Sequence, residues 1–101
     1  MMKFLVTWQF HEGQLHDTLS FFSQMTAEQD RLLMGEKLKL IGRWHDVVSG
    51  RGVAIFESES ADALSAYALH WNKYMDLDIA VVLDDEEAKA IGSQLETHAG
   101  S

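Results

Sequence analysis

Tyr67, His70 and Tyr74 stand three and four positions apart, and their types could do chemistry. On a helix that spacing gathers them on one face. Two phenols flanking an imidazole could orient an aromatic or enol-bearing substrate, with His70 as general base and Tyr67 beside it. The same residues equally suit the wet margin of an amphipathic helix, next to Trp71 on its apolar stripe. A second group lies in "LKLIGRWHDVVSGRGVAIFES", Leu38 to Ser58, where Arg43, Trp44 and His45 are consecutive. Strand alternation sends Trp44 to one face with Leu40 and Val48, and His45 to the other with Ile41 and Val47. A regular strand cannot aim both at one ligand. The expectation is therefore Trp44 in the core beneath the helices, Arg43 at an edge and His45 at an interface. Either Trp44 or His45 could still wall a pocket, since a neutral imidazole donates or accepts.

Other chemistry is not signalled. "HEGQLH", His11 to His16, resembles a zinc-protease helix motif, but its histidines are five apart with Gly13 between them. Two histidines four apart on one helical face are what zinc needs. There is no cysteine, so thiolate metal sites and disulfides are excluded. No Gly-rich phosphate loop, Gly-x-Ser-x-Gly elbow or thiol nucleophile is present, and no metal or cofactor is expected. The acidic run Asp84 to Glu87 suits a helix start better than a carboxylate pair.

The elements that must carry these residues follow from periodicity. A first strand spans about Lys3 to Phe10, with Phe4, Val6, Trp8 and Phe10 on one face. A helix follows with Leu15, Leu19, Phe22 and Met25 at helical spacing. Thr26 and Gln29 form a capping box for a second helical segment to Met34, stopped at Gly35. Two strands, about Lys37 to Val48 and Val53 to Ser58, meet at the "SGRG" turn. Ser60 caps a helix expected to reach Tyr74, with Leu64, Ala68, Trp71 and Met75 on its buried stripe. A strand from Leu77 to Leu83 and a short helix capped by Asp84 complete the domain. Gly92 is expected to end that helix, leaving 93–101 as a flexible tail after a single domain of residues 1–92.

This order is the ferredoxin-like β-α-β-β-α-β arrangement, an α+β fold with helices on one face of a four-stranded antiparallel sheet. Yet "VAIF" and "IAVV" are apolar on both faces of their strands, where a half-wet sheet should alternate. Something must cover the second face, and a second copy of the same sheet, packed about a two-fold axis, is the simplest candidate. A homodimer through the open sheet face is expected.

Charge narrows the partners. Eight basic against sixteen acidic residues give a formal net charge of -8. Such a surface repels phosphate backbones and anionic lipid, so neither nucleic acid nor membrane is expected. "FLVTW" is too short for a signal-peptide core. A soluble cytoplasmic protein is the expectation, starting at Met1 or Met2.

The segments "KLIGRWHD" and "GRGVAIFES", with Trp71 and "VLDDEEA", resemble a widespread bacterial family of small uncharacterised domains, over nearly all of residues 2–92. That family is similar in pattern to the dimeric α+β barrel superfamily, which includes cofactor-independent monooxygenases, polyketide cyclases, haem-degrading enzymes, muconolactone isomerases and regulatory domains. The resemblance implies the ferredoxin-like subunit and the dimer. It also implies a pocket between helices and sheet, where superfamily cyclases are similar in using His and Tyr. The chain departs from the pattern in lacking a proline in its last strand and in the helical segment from Thr26 to Met34.

Two functions stay open. One is a homodimeric module binding a small apolar or aromatic ligand near Trp8, Trp44, His45, Tyr67, His70, Trp71 and Tyr74. The alternative is a cofactor-independent enzyme of cyclase, isomerase or monooxygenase type, with His70 as base. An enclosed cavity of roughly 300 Å³ or more with convergent polar groups would favour the enzyme.

Overall fold

Alternating apolar residues and well-signalled helix caps build a four-stranded antiparallel sheet with the first three helices on one side. The computed structural model describes the backbone of residues 1–99 and the side chains of residues 1–95. Along the chain run β1 (Met2–Phe10), α1 (Leu15–Gln24), α2 (Ala27–Met34), β2 (Lys39–Asp46), β3 (Arg51–Ser58), α3 (Ala61–Trp71), β4 (Met75–Val82) and α4 (Asp85–Ala99). The sheet order is β2-β3-β1-β4, every neighbour antiparallel. This is the ferredoxin-like α+β fold that the pattern predicts.

The local signals act as their chemistry requires. Thr26 and Gln29 close a reciprocal capping box: the Gln29 backbone N–H donates to Thr26 Oγ1 at 3.1 Å, and the Thr26 N–H donates to Gln29 Oε1 at 2.8 Å. Asp84 and Glu87 repeat the device at α4, with N–H to carboxylate distances of 2.9 and 3.1 Å. Ser60 Oγ accepts from Ala63 N–H at the start of α3. Phe4 and Val6 of β1, Ala54 and Phe56 of β3, Leu64, Tyr67 and Trp71 of α3, and Met75 of β4 form the buried core together with Leu38.

Several boundaries differ from the sequence expectation. Strand β2 stops at Asp46 and β3 begins at Arg51, so the turn between them is 47–50 rather than "SGRG". Helix α3 ends at Trp71 with Asn72 as its cap, so Met75 is not on the helical stripe but opens β4, opposite Phe10. Helix α4 does not stop at Gly92; it continues to Ala99. An exposed glycine costs a helix only about 1 kcal/mol, too little to end one that starts with a capping box. Of the tail expected at 93–101, residues 93–99 are thus helical backbone, and 100–101 lie outside the described residues.

The largest difference concerns β2. Leu40 pairs with Phe56 but Gly42 pairs with Ile55, leaving Ile41 as an extra residue in a β-bulge. One extra residue reverses the alternation beyond it. Arg43 and His45, opposite Ala54 and Gly52, therefore face the helices with Leu40, while Trp44 points to the open side beside Val53. The expectation for the pair was inverted: Trp44 is 60% exposed rather than core. Its indole lies flat over Gly42, where a Cβ would collide with the ring.

Candidate functional site

The bulge delivers Arg43 to the helix side, where it meets the one buried acid of α2. Asp30 is 6% exposed, and its Oδ2 accepts from Arg43 Nη2 at 2.6 Å. Tyr67, from α3, donates its hydroxyl to Asp30 Oδ1 at 2.9 Å and accepts from Arg43 Nη1 at 3.3 Å. The three side chains close a triangle in which each charge has a partner, as burial requires. Phe22 of α1 lies under the guanidinium, its ring centre 4.9 Å from Cζ. Burial first, then the neighbouring Asp30 carboxylate, push the Tyr67 phenol up to about 12. Tyr67 is therefore a neutral donor at physiological pH, not a base.

Beside this triangle a cavity of about 60 Å³ opens between the sheet and helices α1 and α3. Its walls are mostly apolar, with Trp8, Phe22, Leu64 and Met75 among them, and its polar members are Thr18, Arg43, His45, Tyr67 and Trp71. Trp8 can lie across the sheet because Gly52 stands next to it; any Cβ there would run into the indole. The ring then meets His45 edge-on at 5.6 Å, and Phe22 stands 5.2 Å from the same imidazole. His45 itself remains solvent-exposed at the mouth. Partial burial, then the Arg43 cation, lower its pKa below the ordinary histidine value of 6.5, so it is neutral at pH 7.

Two residues that line this cavity each bury a polar atom without the partner that burial normally demands. Thr18, 3% exposed, and Trp71, 8% exposed, have their Oγ1 and Nε1 buried with no hydrogen bond among the described residues. The Trp71 N–H lies close enough to the Tyr67 oxygen to favour its anion slightly, without hydrogen-bonding geometry. Leaving a buried donor unpaired costs about 1–3 kcal/mol.

Of the residues singled out in the sequence, Trp8, His45, Tyr67 and Trp71 line the cavity; Trp44, His70 and Tyr74 do not. His70 is exposed on the outer side of α3. Tyr74 follows the helix and stacks on Phe21 at 6.4 Å. The helical spacing of Tyr67, His70 and Tyr74 therefore does not become a shared site. His11 bonds Asp76 at 3.0 Å instead of pairing with His16. No group of three His, Asp or Glu able to hold a metal occurs among the described residues.

Sequence reasoning missed Asp30, Thr18 and the helix-side Arg43. Thr18 carried a usable signal, being three positions after Leu15 and four before Phe22, on the apolar stripe of α1. Gly42 inside a strand pattern was a bulge signal for Arg43. Asp30 looks like any acid in the first turn of a helix, and nothing local marks its burial.

Among solved structures, the fold is similar to that of a NIPSNAP family protein from Agrobacterium tumefaciens strain C58, at 12% identity and a TM-score of 0.52, over 84% of this chain and 95% of that one. It is also similar to a second protein from Agrobacterium tumefaciens, at 13% identity and a TM-score of 0.51, over 82% of this chain and 92% of that one. At such identities the likeness shows the fold alone. No curated protein matches the chain. Residues 2–96 match the family described as "Domain of unknown function (DUF3303)", and the chain belongs to that family.

Proposed function

We propose that the protein is a homodimeric module that binds a small apolar or aromatic molecule in the cavity between α1, α3 and the sheet. The observation that carries the ligand is the pair of unpartnered buried polar atoms, Thr18 Oγ1 and Trp71 Nε1, on two residues that line a mostly apolar cavity. Native proteins rarely leave such groups unsatisfied without a use for them. The cavity is too small for an enclosed reaction chamber, where roughly 300 Å³ is the lower end. It suits the head of a ligand whose body rests in the mouth, near Trp8, Phe22 and His45.

The dimer rests on the other side of the sheet. There Leu5, Val53, Ile55, Ala80 and Val82 join Trp44 in a largely apolar surface that Thr7 and Asp78 interrupt, and alternation of the strands points all of them away from the core. A two-fold axis would pair this surface with its own copy, the arrangement most homodimers use.

An enzymatic reading of the same cavity has one favourable observation, the neutral imidazole of His45 at its mouth. His45, not His70, which does not line the cavity, would then be the base of a cofactor-independent cyclase, isomerase or monooxygenase.

Ligand-detected NMR with a panel of small aromatic compounds tests the binding reading. Wild-type protein should bind members of the panel, and Ala68→Leu, which puts bulk into the cavity wall, should abolish that binding at an unchanged fold by circular dichroism. Binding that survives in a folded Ala68→Leu variant would move the ligand elsewhere and defeat the proposal.

A further inference from the structure

The charges around the cavity are already matched, and that restricts what can enter it. Arg43 is the cavity's only cationic side chain among the described residues, and Asp30 holds it at 2.6 Å. The second oxygen of the same carboxylate accepts a hydrogen bond from the Tyr67 hydroxyl at 2.9 Å. His45 at the mouth is neutral at pH 7. An anionic ligand would therefore leave water without gaining an unmatched cation, close to the Asp30 carboxylate and inside a chain of net charge -8. A cationic ligand would meet a carboxylate that is already paired.

The unfilled hydrogen-bonding capacity is of a different kind. An indole N–H can only donate. The Thr18 hydroxyl can donate or accept, and it stands on α1 while Trp71 stands on α3. A ligand satisfying both helices must bring an acceptor for Trp71 and needs no charge to do so. The remaining wall, with Trp8, Phe22, Leu64 and Met75, asks for an apolar and preferably flat body.

Resting on the small-molecule reading above, we infer that the cavity selects uncharged, flat apolar molecules carrying a carbonyl-type oxygen, and discriminates against both the matching carboxylate and the matching hydrocarbon. The oxygen enters between α1 and α3, and the ring stays at the mouth. Selection works because a site built to hydrogen-bond a group rejects analogues that leave its buried donor unpaired.

Three probes of similar size separate the possibilities at pH 7: acetophenone, benzoate and ethylbenzene. Affinities are measured by ligand-detected NMR on the full chain, and each variant is compared only with itself so that small changes in stability cancel. Acetophenone should bind about tenfold or more tightly than either other probe, the ratio expected of one or two net hydrogen bonds. In Thr18→Val and in Trp71→Phe the ratio of acetophenone to ethylbenzene should fall toward one. Benzoate or ethylbenzene binding as tightly as acetophenone would overturn the selectivity and leave the binding reading standing. A wild-type ratio that persists in both variants would also overturn it. Failure of all three probes to bind would remove the binding reading and this inference together.

Discussion

Each face of the sheet holds a tryptophan laid over a glycine, and the two pairs meet different fates. On the helix side Trp8 covers Gly52, and its ring is walled in by His45 and the cavity. On the open side Trp44 covers Gly42 and keeps 60% of its surface exposed. The local geometry is the same device twice: a missing Cβ lets an indole lie flat on the backbone. What differs is the surroundings. Over β1, β3 and β2 the helix side is covered from within the chain, while Ile79 and Val81 of β4 stay exposed on it. Among the described residues its buried polar side-chain atoms have partners except Thr18 Oγ1 and Trp71 Nε1. The open side carries Leu5, Val53, Ile55, Ala80 and Val82 beside Trp44, with Thr7 and Asp78 among them and Lys3 paired to Asp84 and Glu87. It is a largely apolar surface of the kind that association with another molecule completes.

The comparison breaks most sharply at Asp30. Asp30→Ala leaves the Arg43 guanidinium half-buried and unpaired and removes the acceptor of Tyr67. Loss of one partner from a buried ion pair costs several kcal/mol, and because Arg43 keeps some contact with water we expect the lower end, about 3 kcal/mol. Urea unfolding measures it; a loss under about 1 kcal/mol would mean the triangle does not hold α2 to β2.

The two glycines give a direct test of covered against open. Gly52→Ala forces a Cβ into an indole that neighbours hold, and should cost about 1–3 kcal/mol, as overpacking does. Gly42→Ala makes the same collision with an indole free to swing into solvent, and should cost less than about 1 kcal/mol in the monomer. Equal losses would show that Trp44 is held as firmly as Trp8.

Titration separates the interior from the mouth. Tyr67 holds its proton more tightly in the folded state, near 12 against 10.0. Its contribution is complete below pH 10 and is lost as pH rises toward 12, a fall that Tyr67→Phe should lack in alkaline unfolding curves. His45 has the opposite sign. Its folded pKa is depressed, so its contribution is complete above 6.5 and is lost as pH falls below that value toward the folded one. Being exposed, it should give the smallest effect of all, visible as an NMR titration midpoint under 6.5.

How much of this was legible in the sequence depends on how local each signal is. The capping boxes at Thr26 and Asp84 and the cap at Ser60 are contacts within one turn, and they appear where their residues stand. The alternation of β1 needed nothing beyond its own residues. The β2 assignment failed because parity was carried straight through Ile41 and Gly42, where a single bulged residue reverses it. The site suffered from the same cause, since Arg43 and His45 reach the cavity only because of that bulge. Asp30 was invisible for another reason: its partners lie 13 and 37 positions away, and only the packing of α2 against α3 and β2 joins them.

The three indole N–H signals in a nitrogen-15 correlation spectrum test the central claim, that the helix side is completed by a ligand and the open face by a second copy. Each tryptophan reports one place: Trp71 the cavity, Trp8 its wall and Trp44 the open face. Adding acetophenone should move the Trp71 signal most and Trp8 next, leaving Trp44 still, while dilution through the dimer range should move Trp44 alone. A Trp44 signal that ignores dilution, or a Trp71 signal that ignores every ligand that binds, would contradict the account.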